Sequence, residues 1–123
     1  MITLNDPTAR ITDIWFRTPL SLREIATQLE LRDFHEDSEN YWAWVIGTFG
    51  GARLDITRTH TRKRSKADVR IFLLDEDHFT EALLDRLSAR LAEFVSASVF
   101  FGRWEYRSGN DFEQVVVRTL ETG

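Results

Sequence analysis

Apolar residues recur at helical spacing in two parts of the chain. The first stripe consists of Leu22, Ile25, Ala26 and Leu29, at positions i, i+3, i+4 and i+7. Ser21 and Glu24 fit a capping box, in which each residue satisfies a backbone N–H of the first turn that would otherwise lack a partner. The pattern therefore predicts a first helix that begins directly after Ser21.

The second stripe is longer and repeats every four residues. It consists of Phe79, Leu83, Leu87, Leu91 and Val95, and is widened by Leu84 and Phe94. Asp75 and Asp77 precede it, and either carboxylate can cap a helix and interact favourably with the helix dipole. We therefore predict a second helix of about five turns that begins at one of these two residues.

The remaining apolar positions follow the period of two that is typical of strands. The predicted strands are ITDIWFRT (11–18), YWAWVIGTF (41–49), ARLDITRTHTR (52–62), DVRIFLLD (68–75), SVFFGRWEYR (98–107) and FEQVVVRTL (112–120). Gly50-Gly51 predicts a tight hairpin, because both central positions of such a turn need positive φ. The apolar stretch 68–75 favours a central place in the sheet, whereas the polar stretch 32–40 is typical of a loop.

The order β-α-β-β-β-α-β-β predicts an α+β fold. Connections are short, so most neighbouring strands should be antiparallel, and both helices should bury their stripes on the sheet. We expect a two-layer sandwich with a mostly antiparallel sheet of about six strands and two helices. The 123 residues show no linker or repeat, which indicates one domain over 1–123.

The amino-acid composition excludes several kinds of functional site. The chain has no cysteine, which excludes disulfides and thiolate metal sites, and its three histidines fit no metal-binding motif. Nucleophile-elbow, phosphate-loop and dinucleotide motifs are absent, and the carboxylates cluster where solvent should reach them. We therefore expect no enzymatic activity, no cofactor and no metal. Since no segment approaches the roughly 20 apolar residues of a membrane span, we expect a soluble, cytoplasmic protein.

Charge is distributed unevenly along the chain. The net charge is −4, yet residues 53–70 carry an excess of five positive charges. This stretch includes Arg58, Arg62, Lys63, Arg64 and Lys66, which are candidates for nucleic-acid binding. No aromatic residue accompanies them between positions 57 and 68, and the acidic remainder of the chain repels a polyanion. A solvated hairpin tip therefore accounts better for the basic stretch, and nucleic-acid binding stays an alternative.

Aromatic residues form two groups on predicted strands. Alternation places Trp42 and Trp44 on one face of their strand, where they either pack beneath a helix, the interpretation we favour, or form an exposed platform. Trp104 and Tyr106 share a face of a later strand with Gly102. A third hypothesis, of a small-molecule or enzyme pocket between helices and sheet, would use Trp42, Trp44 or Trp104 as lining.

Three segments, ENYWAWVIG, LDITRTH and GRWEY, in a small, acidic, cysteine-free α+β chain resemble the small bacterial immunity proteins of contact-dependent and type VI secretion toxin systems. The resemblance implies a protein-binding module that neutralises a cognate, basic toxin in a tight complex, without catalytic residues. An acidic stretch beside aromatic residues suits a cationic partner. The candidate partner-binding residues are Glu36, Asp37, Glu39, Tyr41, Asp75, Glu76 and Asp77.

Overall fold

Eight strands form one antiparallel sheet in the computed structural model, which describes residues 2–4, 10–59 and 68–122. The strands are β1 (Ile2–Leu4), β2 (Asp13–Phe16), β3 (Arg32–Glu39), β4 (Trp42–Phe49), β5 (Ala52–Thr59), β6 (Val69–Leu73), β7 (Val99–Ser108) and β8 (Asp111–Leu120). Their order across the sheet is β1-β8-β7-β2-β6-β5-β4-β3. Strand β6 lies between β2 and β5, which confirms its predicted central position.

Two helices accompany the sheet, α1 (Leu22–Gln28) and α2 (Glu81–Phe94). The start of α1 is as predicted, because the Ser21 hydroxyl accepts the Glu24 N–H at 3.1 Å and the Glu24 carboxylate accepts the Ser21 N–H at 3.2 Å. The predicted start of α2 was wrong. Its N-cap is Thr80, and the preceding Phe79 instead donates its backbone N–H to the carbonyl of Ile11 at 2.9 Å.

The α+β class with two helices and an antiparallel sheet is confirmed, and the prediction of about six strands fits roughly, although the described sheet has eight. The two further strands are β1 and β3, which form the edges of the sheet. Strand β3 covers the polar stretch predicted as a loop, and nearly all of its residues are exposed. An edge strand can be polar on both faces, because one neighbour is enough to hold its backbone. Hydrophobic patterning therefore gave no signal for it.

The Gly50-Gly51 hairpin between β4 and β5 is confirmed. Both glycines have positive φ, 53° and 86°, and the strands are paired from Phe49 and Ala52 onwards. Glycine adopts this conformation without the steric cost that a side chain would add.

One face of the sheet forms the core together with both helices. Val45, Ile56, Ile71, Ile14 and Phe101 follow one another across five neighbouring strands, and all are buried. The stripes of α1 and α2 belong to the same apolar cluster. We call this side the helix-covered face and the opposite side the open face. Neither described helix has the length and apolarity needed to cross a membrane.

Candidate functional site

The open face carries a row of side chains that alternate with the core residues. Trp44, Thr57, Arg70, Trp15 and Phe100 are register partners across β4, β5, β6, β2 and β7. Successive residues of a strand point to opposite faces, so this row lies on the side away from the helices. The open face is therefore a mixture of rings, hydroxyls and charges, without the aliphatic residues of the core.

Several large rings on this side are exposed to solvent. Trp42 is 52% exposed, Trp104 47%, Tyr106 63% and Phe112 55%. Tyr106 and Phe112 also contact each other edge to face, with ring centroids 5.6 Å apart. Large apolar surface that a fold leaves in water is typical of interaction sites.

The favoured interpretation of Trp42 and Trp44 was therefore wrong, because the opposite face of their strand packs beneath the helices. The physical reason lies at Gly47, where the methyl group of an alanine would come within 2.8 Å of Phe34 Cβ and 3.0 Å of Leu31 Cβ. Leu31 and Phe34 can pack this closely only if the face of β4 that carries Gly47 is turned toward the core. The two tryptophans consequently point outward.

Trp15 anchors the second aromatic group. It is buried although it lies on the open face, and its ring contacts Trp104 edge to face with centroids 6.0 Å apart. Gly102 lies on β7 between Trp104 and Phe100, the register partner of Trp15, and a Cβ at Gly102 would lie 3.1 Å from the Trp15 ring. The absence of a side chain at Gly102 thus lets Trp15 lie across β7 and reach Trp104.

A cavity of about 300 Å³ opens on this face between β4 and β6, and we call it the tryptophan cavity. Its lining consists of Glu39, Trp42, Trp44, Asp55, Thr57, Arg70 and Phe72. The third hypothesis placed the tryptophans in a pocket between helices and sheet, but Trp42 and Trp44 line a cavity on the opposite face, and Trp104 takes no part in that lining. Sequence reasoning also missed Asp55, Arg70 and Phe72, because only the β5–β6 register brings them to the tryptophans.

Asp13 and Asp55, two carboxylates near the cavity, differ in how far neighbouring groups neutralise their negative charge. Asp13 is buried and accepts a hydrogen bond from Arg70 Nε at 2.5 Å, and the same guanidinium lies 4.5 Å from the Phe72 ring centroid. Asp55 has only the Thr57 hydroxyl as a hydrogen-bond donor among the described residues, at 2.5 Å. Burial raises the pKa of the Asp55 carboxyl, against the smaller lowering effects of Thr57 and the Arg70 charge. The negative charge of Asp55 is therefore less well neutralised than that of Asp13.

The predicted acidic residues of β3 divide between the two faces. Asp37 and Glu39 are register partners of Trp44 and Trp42, and so lie on the open face. Glu36 lies on the helix-covered face and accepts a hydrogen bond from Arg23 Nε at 3.0 Å. Tyr41 is 71% exposed in the β3–β4 turn. The structure thus places three of these four residues beside the exposed tryptophans.

Asp75, Glu76 and Asp77 form an exposed segment between β6 and α2. Strand β6 ends near the Gly50-Gly51 turn, whereas Glu39 and Trp42 lie at the other end of β4. The eight residues of β4 span roughly 23 Å. The two predicted acidic groups therefore do not form one continuous surface.

Arg58 does not have the exposed position that nucleic-acid binding requires. Its side chain is 15% exposed, donates to the Thr18 carbonyl at 2.8 Å and lies 3.4 Å from the Asp68 carboxylate, on the helix-covered side. Alternation along β5 turns it inward beside Ile56. The other candidates, Arg62, Lys63, Arg64 and Lys66, lie outside the described residues.

A larger cavity of about 860 Å³ lies at the other end of the sheet, between the end of α1, the β4–β5 turn and α2. Part of its charge is engaged with neighbouring groups. Arg90 pairs with Glu30 at 2.6 Å, and Arg86 lies 5.1 Å from the centre of the Phe49 ring. Among the described residues, no group of three histidine or carboxylate side chains could hold a metal ion. The open face remains the better candidate site.

No known family model, curated protein or solved structure matches this chain.

Proposed function

We propose that this chain is a protein-binding module that neutralises a cognate bacterial toxin by forming a tight complex, with the open face as its docking surface. The observation that supports the proposal is the set of exposed rings on a face that neither helix covers. Trp42 and Trp104 each leave about half of their surface in water. Tryptophan and tyrosine are the residues most enriched among the hot spots of protein interfaces.

The composition of the face suits a protein partner better than a nucleic acid. Its described charged positions are Asp13, Arg32, Asp37, Glu39, Arg53, Asp55 and Arg70. The four carboxylates therefore outnumber the three arginines, and one of these arginines, Arg70, is already bound to Asp13. A face of this kind repels phosphates and attracts a cationic surface, which raises the rate of association with a basic protein.

Rings and charges would contribute differently to the complex. The apolar surface of the rings is lost from water on docking, which stabilises the bound state. The carboxylates of Asp37 and Glu39 lie on the edge strand β3 and remain partly hydrated, so their main effects are on association rate and salt dependence. A tight complex thus depends on Trp42 and Trp104, and its selectivity for a basic partner depends on the acidic residues.

The proposal predicts that a reading frame next to the gene for this chain encodes a toxin, and co-expression with that frame tests it. Wild-type protein should restore growth, and Trp42→Ala combined with Trp104→Ala should abolish the rescue while the variant remains folded. Asp85→Ala, at an exposed position of α2 on the other side of the molecule, is the control and should rescue fully. Full rescue by the double tryptophan variant, or an adjacent frame without toxicity, would contradict the proposal.

A further inference from the structure

We propose that the tryptophan cavity accepts an arginine side chain of the protein partner. This inference rests on the proposed function, because it names the chemistry by which the open face would recognise its partner. The cavity combines aromatic walls with carboxylates that lack cationic partners of their own among the described residues, and its volume of about 300 Å³ suits one long side chain.

The walls of the tryptophan cavity are aromatic. Trp42, Trp44 and Phe72 contribute three rings to one cavity. A guanidinium is attracted to the negative face of an aromatic ring and stacks on it, and tryptophan is the most favourable ring for this contact. The guanidinium of Arg70, which also lines the cavity, lies over the Phe72 ring at 4.5 Å from its centroid, so the same chemistry is already present there and the tryptophan rings are the walls left for a further guanidinium.

The tryptophan cavity also carries negative charge. Glu39 and Asp55 line the cavity, and neither forms an ion pair with a basic residue among those the structure describes. Arg70 does not neutralise them fully, because its Nε atom is engaged by Asp13 at 2.5 Å. The cavity therefore carries a negative excess that an anionic or neutral occupant would not balance.

The Asp55 carboxylate can accept more hydrogen bonds than it receives from the described residues. The carboxylate is partly buried, and the Thr57 hydroxyl is its single hydrogen-bond donor in the described chain. Each carboxylate oxygen can accept further hydrogen bonds. A planar guanidinium has five N–H donors in a fixed fork and can serve a carboxylate while stacking on a ring, which the compact ammonium of lysine does less well.

The direct test uses N-acetyl-arginine amide as the probe and N-acetyl-citrulline amide as its neutral isostere. The chain has four tryptophans, so that four indole N–H signals can be followed by NMR in ¹⁵N-labelled protein. We expect the arginine probe to shift the signals of Trp42 and Trp44 and to leave that of Trp104 in place. The citrulline probe should cause no shift at comparable concentration.

A charge-neutral variant identifies the groups responsible. Glu39→Gln combined with Asp55→Asn should weaken binding of the arginine probe by roughly tenfold or more, because hydrogen bonds to charged groups contribute at about that level. Asp85→Asn combined with Asp111→Asn removes the same charge at exposed positions elsewhere and should leave the affinity unchanged. Each single variant is measured as well, so that one poorly folding protein cannot obscure the result.

Three results would overturn the inference: no shift of Trp42 or Trp44 up to the solubility limit of the arginine probe, equal shifts with citrulline, or unchanged affinity in the charge-neutral variant. Each of these measurements uses the isolated protein. Failure of toxin neutralisation would therefore refute the proposed function and leave the test of the cavity intact.

Discussion

The two faces of the sheet are made by alternate residues of the same strands, yet they differ in chemistry. On the helix-covered face, Val45, Ile56 and Ile71 lie side by side without access to solvent. On the open face, the neighbouring positions of β4, β5 and β6 hold Trp44, Thr57 and Arg70. The same backbone thus carries a uniformly apolar layer on one side and a mixed aromatic and charged layer on the other.

The comparison separates residues required for folding from residues available for binding. Aliphatic side chains pack in a core with few unpaired polar groups, and removing one leaves a cavity. The rings and carboxylates of the open face contribute less to folding and retain surface that a partner can bury. Variants on the two faces should therefore differ in their effects on stability, and the following predictions are ordered from the largest effect to the smallest.

Phe101→Ala on the helix-covered face should lower the free energy of unfolding by about 3–5 kcal/mol, because this ring is fully buried and leaves a cavity. Phe112→Ala, the same change at an exposed position, should cost less than about 1 kcal/mol. Urea denaturation followed by circular dichroism measures both. Equal losses would show that the open face is part of the folding core.

Gly102→Ala should destabilise the protein by about 1–3 kcal/mol through steric conflict. A Cβ at this position would lie 1.8 Å from the Val115 carbonyl oxygen and 3.1 Å from the Trp15 ring, so β8 and Trp15 would both have to move. Gln114→Ala, on the facing strand, is the control and should have little effect. A Gly102→Ala protein of normal stability, with the Trp15 indole N–H signal unchanged in the NMR spectrum, would contradict the described packing of Trp15.

Asp55→Asn should increase stability at neutral pH, and the gain should vanish in acid. The folded-state pKa of Asp55 is raised above its ordinary value of 3.8, so the folded protein binds this proton more tightly than the unfolded chain does. In the wild type, the stabilisation that comes from the protonated Asp55 side chain is fully present below pH 3.8. It is lost as the pH rises through the folded-state pKa of Asp55. Unfolding midpoints of both proteins across this window measure the difference. A variant less stable than wild type at neutral pH would contradict the account.

Glu81→Gln should have the smallest effect and the opposite pH dependence. A hydrogen bond from Arg118 lowers the pKa of the Glu81 carboxyl below its ordinary value of 4.5. The stabilisation is present above pH 4.5 and is lost as the pH falls through the folded-state pKa. Glu81 is largely exposed, so the expected loss at neutral pH is about 0.2–1 kcal/mol. A constant difference between variant and wild type from neutral to acidic pH would refute this assignment.

The sequence predicted the elements whose signals are local. The capping box of Ser21 and Glu24 and the Gly50-Gly51 turn depend on neighbouring residues, and both were confirmed. Strand β3 was missed, since its backbone is held by β4 alone. The late start of α2 was missed as well, because Phe79 is fixed by a backbone contact with Ile11, which is far away in sequence.

The candidate site was only partly predictable for a related reason. Alternation placed Trp42 and Trp44 on one face, but Ala43 and Val45 make the opposite face equally suitable for a core. The choice depends on the close packing at Gly47, which is a tertiary contact. The pairing of Asp13 with Arg70 joins residues 57 positions apart and follows from the β2–β6 register, which periodicity does not specify.

The central claim is the proposal that a toxin partner docks on the open face, and the dissociation constant of the complex with that purified protein tests it most directly. Calorimetric titration of Trp42→Ala against wild type should show a loss of about 2 kcal/mol or more, as expected for a hot-spot residue, which is roughly a thirtyfold weaker complex. The stability of the isolated variant, measured in parallel, should stay close to that of wild type. An unchanged dissociation constant in a folded Trp42→Ala protein would contradict the claim.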